Sequence, residues 1–254
     1  MISVCGQTKY MFNRIKNLFL DILFPPHCVA CDSEGSFLCK NCASLLHPLP
    51  PSCIACGMMT QAKSANGTIN IYPAGHTCHR CRKKTFIRVF ISPFPYRDVT
   101  VRQLIHEFKY RRIRSISPLL GRLIASYMHY YKTSLPKNAI IMPIPLHSRK
   151  KRMRGFNQAL LLAQDIASHM PLPMAINTQS LIRIAPSTPQ TKLTAIHRRA
   201  NVENIFSLRD PNYVHGKTII LVDDVKTTGA TLEQAARVLK KSGAKEIWAI
   251  TFAH

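Results

Sequence analysis

Residues 219–231 carry the side chains in this sequence that are best suited to binding chemistry. Four apolar residues, Ile219 to Val222, predict a central strand that is buried on both faces. Asp223 and Asp224 follow at the carboxyl end of this strand. Carboxylates repel phosphate but accept hydrogen bonds from sugar hydroxyls, so the pair predicts a sugar ligand.

The loop that follows has the composition of a phosphate-binding turn, and its residues are Val225, Lys226, Thr227, Thr228, Gly229, Ala230 and Thr231. A helix is predicted to begin at about Ala230, and the N–H groups of its first turn lack internal partners and attract an anion. The threonine hydroxyls add donors, and Gly229 lets the backbone turn tightly. Together with the aspartates, the loop predicts a phosphorylated sugar as the ligand.

This run resembles the phosphoribosyl-pyrophosphate (PRPP) motif of type I phosphoribosyltransferases along all of its thirteen positions, with one departure at Lys226. An ordinary strand–turn–helix with capping residues is the alternative, but capping explains a single Asp or Thr rather than two acids followed by three threonines. A P-loop is excluded because the sequence contains no G-x-x-x-x-G-K-[ST]. The resemblance implies that the aspartates hold ribose hydroxyls, with Mg²⁺ as a candidate companion, and that the loop wraps the 5′-phosphate. Lys226 stands where a small or apolar residue is expected, and is predicted either to contact phosphate or to point to solvent.

Eight of the nine cysteines form Cys-x-x-Cys pairs, which are Cys28/Cys31, Cys39/Cys42, Cys53/Cys56 and Cys78/Cys81. Two such pairs complete a tetrahedral zinc site, so the four pairs predict two structural zinc ions. A disulfide framework is the alternative, but regular doublets in a chain without an export signal favour metal. Sequential pairing is predicted over an interleaved cross-brace, because the first two pairs can close a compact loop.

The chain is strongly basic, with 35 Lys and Arg against 12 Asp and Glu and a formal charge of +23. Such an excess attracts polyanions by counterion release, with nucleic acid as the first candidate and an anionic membrane surface as the second. No acidic residue lies between Glu107 and Asp165. The nucleic-acid candidates come from this tract and are Lys109, Arg111, Arg112, Arg114, Arg149, Lys150, Lys151 and Arg152.

The first residues of the sequence predict an amphipathic helix within 1–24, packed on the protein or on a partner. Charged residues interrupt this segment, unlike the apolar core of a signal peptide. No apolar run approaches the length of a transmembrane helix. The sequence therefore predicts a cytoplasmic protein without a membrane span.

Apolar periodicity in the rest of the chain predicts alternating helices and strands. The predicted helices are 99–113, 118–131, 156–169 and one from Ala230, and the predicted strands are 86–97, 139–145, 179–184, 218–223 and 246–252. Residues 146–155 are predicted as a strongly basic loop, and 183–206 as either a lid or a plain surface loop. Alternating strands and helices argue for a parallel sheet, whose ligands bind at the carboxyl ends of the strands. Asp223, Asp224 and the loop after Pro145 are therefore expected on one rim.

These features together resemble the ComF family over nearly the whole chain. The residues that carry the resemblance are the cysteine pairs, Leu104 to Tyr110, Pro143 to Pro145, Arg154 to Gln158, Thr188 with Gln190, Arg199 with Asn201 and Phe206, and the run 219–231. The resemblance implies an α/β fold in three parts. An amphipathic helix (1–24) precedes a small N-terminal double zinc ribbon (25–85), which precedes a type I phosphoribosyltransferase-like parallel sheet flanked by helices (86–254).

The resemblance implies a role in natural transformation, in which the protein binds and handles incoming single-stranded DNA in the cytoplasm. Competence helicase and recombination proteins are candidate partners. The implied PRPP site is Asp223 to Thr231, with Arg154 and Gly155 near the pyrophosphate and with Thr188, Gln190 and Arg199 in a loop that closes over PRPP. The alternative is a phosphoribosyltransferase that moves phosphoribose from PRPP to a nucleobase-like acceptor, which the motif permits without requiring. A gluconate-related role or a regulatory role comes third.

Overall fold

The computed structural model describes residues 25–64, 67–70, 73–110, 113–184 and 205–254. Several predictions lie outside these ranges: the helix within 1–24, the nucleic-acid candidates Arg111 and Arg112, and the loop residues Thr188, Gln190 and Arg199. The chain forms two compact units, Met1–His47 and Pro48–His254. Each unit contains one group of four cysteines, and the second also contains the sheet.

The helices of the described ranges are α1 (Lys40–Ser44), α2 (Val99–Tyr110), α3 (Ser117–Tyr130), α4 (Ser148–Arg154), α5 (Gln158–Ser168) and α6 (Ala230–Lys241). The strands are β1 (Gln61–Ser64), β2 (Gly67–Asn70), β3 (Val89–Ile91), β4 (Ile140–Pro143), β5 (Ala175–Ile176), β6 (Leu181–Arg183), β7 (Phe206–Leu208), β8 (Thr218–Val225) and β9 (Glu246–Ala253). Helix α1 belongs to the first unit, and every other element belongs to the second.

A parallel sheet of five strands, in the order β3-β9-β8-β4-β5, forms the core of the second unit. In the central strand β8, Ile219 to Val222 are all fully buried. Because successive side chains of a strand point to opposite faces, this burial requires a cover on both faces of the sheet. The predicted α/β fold with a parallel sheet and flanking helices is confirmed.

The helices pack their predicted apolar faces inward. Leu104, Ile105 and Phe108 of α2 are fully buried, and so are Leu232 and Leu239 of α6. Helix α6 begins at Ala230, as its sequence predicts. Its first turn therefore lies directly after the carboxyl end of β8, on the rim where the two aspartates leave the sheet.

The predicted basic loop at 146–155 is wrong, because Ser148–Arg154 form helix α4. The His147 side chain accepts a hydrogen bond from the Arg149 N–H at the start of this helix, and Gly155, with φ of 79°, ends it. A run of basic residues has no apolar periodicity, so only the caps could have indicated a helix.

The strand predicted at 179–184 is present as β6, Leu181–Arg183, but it lies outside the parallel sheet. It pairs antiparallel with β7, with Arg183 opposite Phe206. The edge strand beside β4 is instead Ala175–Ile176. Two residues are too short a segment to show an alternating pattern, which is why periodicity does not reveal β5.

Candidate functional site

The carboxyl ends of β4 and β8 lie side by side and form one rim of the sheet. Pro143 is in register with Val222, and the Ile144 N–H donates to the Val222 carbonyl at 2.8 Å. Asp223 and Asp224 lie in the last three residues of β8, next to the chain that leads from β4 into α4. The expectation that these segments share a rim is confirmed.

The two aspartates differ in their surroundings. The Asp224 side chain is buried, with the residue 6% exposed, whereas Asp223 is half-buried. Oδ1 of Asp223 accepts a hydrogen bond from the Asp224 N–H at 2.9 Å. Loss of water and the negative charge of Asp224 raise the pKa of Asp223 to about 7. Asp223 is thus able to exchange a proton near neutral pH.

Lys109 is the direct partner of Asp224. Its ammonium lies 2.7 Å from Oδ1 of Asp224, and the two side chains are only 17% and 9% exposed. Lys109 is in the last turn of α2, and the sequence predicts it as a nucleic-acid contact. In the structure its ammonium forms an ion pair with Asp224 instead. The local sequence gives no sign of this contact, because the two residues are far apart along the chain.

Further cations surround this ion pair. Partial loss of water and the positive charges of Arg154, Arg183 and Lys109 lower the pKa of Lys150, while Asp224 raises it. Burial lowers the pKa of Arg183, and the charge of Asp223 opposes that shift. The mutual effects show that these groups share one electrostatic neighbourhood. One cation in contact with Asp224 and others in its neighbourhood favour an anionic ligand at this rim.

Residues Arg154 to Gln158 connect α4 to α5 through a rigid turn. Nη1 of Arg154 donates to Oε1 of Gln158 at 3.1 Å, and the guanidinium lies over the Tyr110 ring at 5.3 Å. Asn157 caps α5, because its Oδ1 accepts from the Ala159 N–H. Its Nδ2 donates to the Ile144 carbonyl, which joins the turn to the end of β4. The sequence motif is thus a structural link between the rim and α5.

The loop after the aspartates has the features of a phosphate cradle. Gly229 adopts a φ of 80°, and Thr227 and Thr228 are exposed. Oγ1 of Thr228 accepts from the Ala230 N–H at 3.3 Å, which satisfies one N–H at the start of α6. The neighbouring N–H groups of the first turn have no intrahelical acceptor and are available to an anion.

Lys226 does not point freely into solvent. Its ammonium lies 5.6 Å from the centroid of the Phe90 ring, and burial lowers its pKa. A Cβ atom at Gly229 would approach Cε of Lys226 to 3.2 Å. The absence of a side chain at Gly229 therefore lets the aliphatic part of Lys226 pack against the turn.

The remaining nucleic-acid candidates fall into two groups. Arg149, Lys151 and Arg152 are exposed on α4, beside the rim. Arg114 is used locally: its Nη2 donates to the Gly155 carbonyl at 3.2 Å, and its guanidinium stacks over Phe156 at 5.0 Å. Helix α4 is therefore the part of the basic tract best able to meet a phosphate backbone.

The eight paired cysteines form two tetrads that match the predicted sequential pairing. The tetrads are Cys28, Cys31, Cys39 and Cys42 in the first unit, and Cys53, Cys56, Cys78 and Cys81 in the second. Within each tetrad the sulfur atoms lie within 4.8 Å of one another. Zn–S bonds of ~2.3 Å in a tetrahedral site place sulfurs ~3.8 Å apart. Sγ atoms of Cys31 and Cys39 are 3.7 Å apart, and those of Cys56 and Cys78 are 3.8 Å apart.

The surroundings of each tetrad stabilise some of its thiolates and not others, because hydrogen bonds with Cys31 and Cys39 raise the pKa of Cys42, and burial raises the pKa of Cys81. Burial alone would raise the pKa of Cys28, but the backbone N–H groups of Cys39, Ala30 and Cys31 lower it to about 6. The pKa of Cys53 is lowered to about 7 by N–H groups in the same way, against the effect of burial. Four thiolates and no open position are the chemistry of a structural zinc site.

The second tetrad is joined to the edge of the parallel sheet. The Thr77 N–H donates to the Arg88 carbonyl, and the Phe90 N–H donates to the Gly75 carbonyl. A Cβ atom at Gly75 would lie 2.3 Å from the Phe90 carbonyl oxygen, so only glycine permits this approach. The edge strand β3 is thereby covered by the cysteine-rich segment, which protects its unpaired side.

Comparisons with known proteins agree with both modules. Residues 19–82 match the double zinc ribbon domain, and residues 157–254 match the phosphoribosyl transferase domain. Competence protein F of Haemophilus influenzae is 30% identical over 230 residues, which cover 84% of this chain and 94% of that protein. The chain belongs to the ComF family. Other relatives are the DNA utilization protein YhgH of Salmonella typhi, 35% identical over 70% of this chain and 80% of that protein, and competence protein ComFC of Bacillus subtilis, 32% identical over 65% and 63%.

Membership of the ComF family agrees with the geometry of the two cysteine tetrads and of the rim. The double zinc ribbon accounts for both tetrads as structural zinc sites. The phosphoribosyl transferase domain includes Asp223, Asp224 and the cradle. Lys109 and α4 lie before residue 157, where the match to this domain begins. The rim therefore also contains residues that the domain match does not cover. Across the described ranges, no helix combines the length and the apolar character needed to cross a bilayer.

Proposed function

We propose that this ComF protein acts in natural transformation, where it binds incoming single-stranded DNA in the cytoplasm and holds a phosphorylated ribose at Asp223 to Thr231. The observation that carries this proposal is the convergence of an acidic pair, a phosphate cradle and several cations at one rim. The names of its relatives, competence protein F and DNA utilization protein, support the biological context.

The ligand of the rim is PRPP or the 5′-phosphoribosyl end of a related molecule. Ribose hydroxyls donate to Asp223, and the cradle N–H groups and threonine hydroxyls donate to the 5′-phosphate. In this proposal the turn at Arg154 and Gly155 faces the pyrophosphate, and Thr188, Gln190 and Arg199, which lie outside the described residues, are the further candidates for PRPP contacts. Mg²⁺ that accompanies PRPP is held by the diphosphate oxygens of the ligand, which suit this ion.

The DNA path runs along helix α4, whose exposed cations Arg149, Lys151 and Arg152 adjoin the rim. Neutralised phosphates release counterions, so binding depends steeply on salt. Competence helicase and recombination proteins are the partners that would deliver or receive such a strand. Titration of fluorescent single-stranded DNA at increasing salt tests this part, and weak binding that does not change with salt would contradict it.

The decisive experiment is transformation efficiency in cells that carry the Asp223→Asn/Asp224→Asn double variant. The variant protein is first shown to contain its zinc and to fold. We expect transformation to fall strongly, because the ribose hydroxyls lose their charged acceptors. Normal efficiency would mean that the phosphoribosyl site has no part in the role.

Transfer of phosphoribose to a nucleobase-like acceptor is the second candidate. The cations around Lys150 favour it, because catalysis of this reaction requires stabilisation of departing pyrophosphate. Release of pyrophosphate from PRPP is measured across a panel of bases. Turnover that the Asp224→Asn variant abolishes would support an enzyme, and no turnover with any base would favour binding alone.

A further inference from the structure

The acidic pair of the rim does not suit a directly bound divalent cation. Mg²⁺ requires near-octahedral oxygen ligands at ~2.1 Å, from carboxylates, phosphates and waters. Oδ1 of Asp224 is already in contact with the Lys109 ammonium at 2.7 Å, and Oδ1 of Asp223 already accepts the Asp224 N–H. Among the described residues, the groups of side chains arranged to hold a metal ion are the two cysteine tetrads.

The charges near the pair also oppose a metal. Lys109 touches Asp224, Arg183 lies in the field of Asp223, and Lys150 lies in the fields of Lys109, Arg183 and Asp224. A divalent cation that binds Oδ1 of Asp224 would have to displace the Lys109 ammonium from it. The Lys109 and Asp224 side chains are only 17% and 9% exposed, so this displacement would break a close ion pair that is largely shielded from water.

We propose that the Lys109 ammonium takes the position at Asp224 that a divalent cation would need, so that the rim binds phosphorylated ribose without a protein-bound divalent metal. Lys109 neutralises Asp224 permanently and leaves Asp223 to accept the ribose hydroxyls. The other cations then face the phosphate groups. The proposal rests on the proposed function, since it concerns the same ligand site.

Ribose 5-phosphate is the sharpest probe, because it lacks the diphosphate that binds Mg²⁺ on its own. Its affinity is measured by calorimetry on zinc-loaded, full-length protein. The buffer is freed of divalent cations over a chelating resin before the protein is added, since a soluble chelator would remove the zinc. We expect the dissociation constant to change by less than about twofold when MgCl₂ is added in excess, a free-energy difference below ~0.4 kcal/mol.

Two wild-type outcomes would overturn the proposal in different ways. Binding that tightens by about tenfold or more with MgCl₂, equivalent to ~1.4 kcal/mol, would show that the site uses the metal while the proposed function stands. If neither ribose 5-phosphate nor PRPP binds in either buffer, the phosphoribosyl site itself fails, and the inference fails with it.

The Lys109→Met variant tests the role of the ammonium directly. Asp224 then carries an uncompensated negative charge that repels the phosphate, so we expect ribose 5-phosphate to bind roughly tenfold more weakly without metal, equivalent to ~1.4 kcal/mol. MgCl₂ should restore part of this affinity, because Asp224 becomes free to bind the ion. A merely structural role for Lys109 predicts the same loss without rescue, and that result would overturn the proposal.

Two further variants keep the test valid. Lys150→Met removes a nearby cation that forms no ion pair with Asp224 in the described structure. The affinity of this variant for ribose 5-phosphate should therefore fall to the same extent with and without MgCl₂. If Lys109→Met does not fold, the Lys109→Met/Asp224→Asn double variant removes both charges of the buried pair together, which is far less destabilising. Because position 224 stays neutral in the double variant, it should bind ribose 5-phosphate within about threefold of wild type and show no response to MgCl₂. A tenfold response in that variant would contradict the inference.

Discussion

Nη1 of Arg154 donates a hydrogen bond to Oε1 of Gln158 at 3.1 Å, and both side chains are buried. The bond joins residues on the two sides of Gly155, where α4 ends and the chain turns toward α5. It therefore fixes the direction in which the basic helix leaves the rim. Nε of Arg154 and Nε2 of Gln158 have no hydrogen-bond partner within the described residues, so the mutual hydrogen bond and the stacking of Arg154 on Tyr110 hold the pair.

Replacement of Arg154 by alanine should destabilise the second unit. The variant leaves Oε1 of Gln158 buried without a donor, which typically costs ~1–3 kcal/mol. Urea unfolding followed by the fluorescence of Trp248, the single tryptophan of the chain, measures the change. The matched control is Arg152→Ala in the same helix, where the side chain is exposed and the expected change is within ~0.5 kcal/mol. Equal effects of the two variants would contradict a special role for Arg154.

The sequence predicts the parts of the site that depend on local patterns. The apolar run at Ile219 to Val222 indicates a central strand because a strand buried on both faces cannot tolerate polar side chains. The cradle follows directly along the chain, so its place at the end of β8 is a local consequence. The cysteine tetrads are likewise evident from the spacing of their pairs.

Contacts between distant residues were not predictable in this way. Nothing near Lys109 distinguishes it from the other basic residues of the tract, yet it alone among them touches Asp224 in the described structure. The contact between Lys109 and Asp224 depends on where α2 packs on the sheet, and that position is set by the whole core. Helix α4 was missed for a different reason, because its stability comes from the His147 cap and the Gly155 turn instead of an apolar face.

Loss of the second zinc site should be visible at Trp248. The Trp248 ring lies 6.2 Å from the ring of His76, in the cysteine-rich segment that covers β3. Cys78→Ser should reduce the zinc content from two ions to one and change the fluorescence of Trp248, because zinc binding holds this segment folded. Zinc is measured by elemental analysis and the fluorescence in parallel.

The matched control for the zinc experiment is Cys39→Ser, which removes one ligand from the tetrad of the first unit. It should also lose one zinc ion, but the fluorescence of Trp248 should be unchanged. A change of equal size in both variants would contradict the assignment of the two tetrads to separate units.

The stability of the protein should depend on pH through Asp223. Loss of water and the charge of Asp224 raise its pKa in the folded protein to about 7, from 3.8 for an ordinary aspartate. Between these values the folded state binds more protons than the unfolded state, so this group makes stability fall as the pH rises toward 7, with no further loss above it. Asp223→Asn should remove this component of the slope and raise the melting temperature most at pH 7 and above.

Melting curves of wild type and Asp223→Asn from pH 5 to pH 8 measure the difference. Asp210→Asn is the matched control, because Asp210 is exposed and its Oδ1 accepts the Asn212 N–H, which the amide oxygen of an asparagine can also do. The control should follow the wild-type curve across the whole range. A constant difference between wild type and Asp223→Asn would mean that Asp223 is ionised throughout and that its pKa is not raised.

Neutralising the exposed cations of α4 should weaken single-stranded DNA binding and reduce its dependence on salt. The variant is Arg149→Gln/Lys151→Gln/Arg152→Gln. Each phosphate contact contributes ~0.7 to the slope of log K against log salt for a single strand, so three lost contacts should reduce the slope by about 2. The matched control, Lys137→Gln/Lys241→Gln/Lys245→Gln, removes the same charge near the amino ends of the strands. A net-charge effect would lower both slopes equally, whereas a DNA path along α4 lowers the slope of the first variant and leaves that of the second close to wild type.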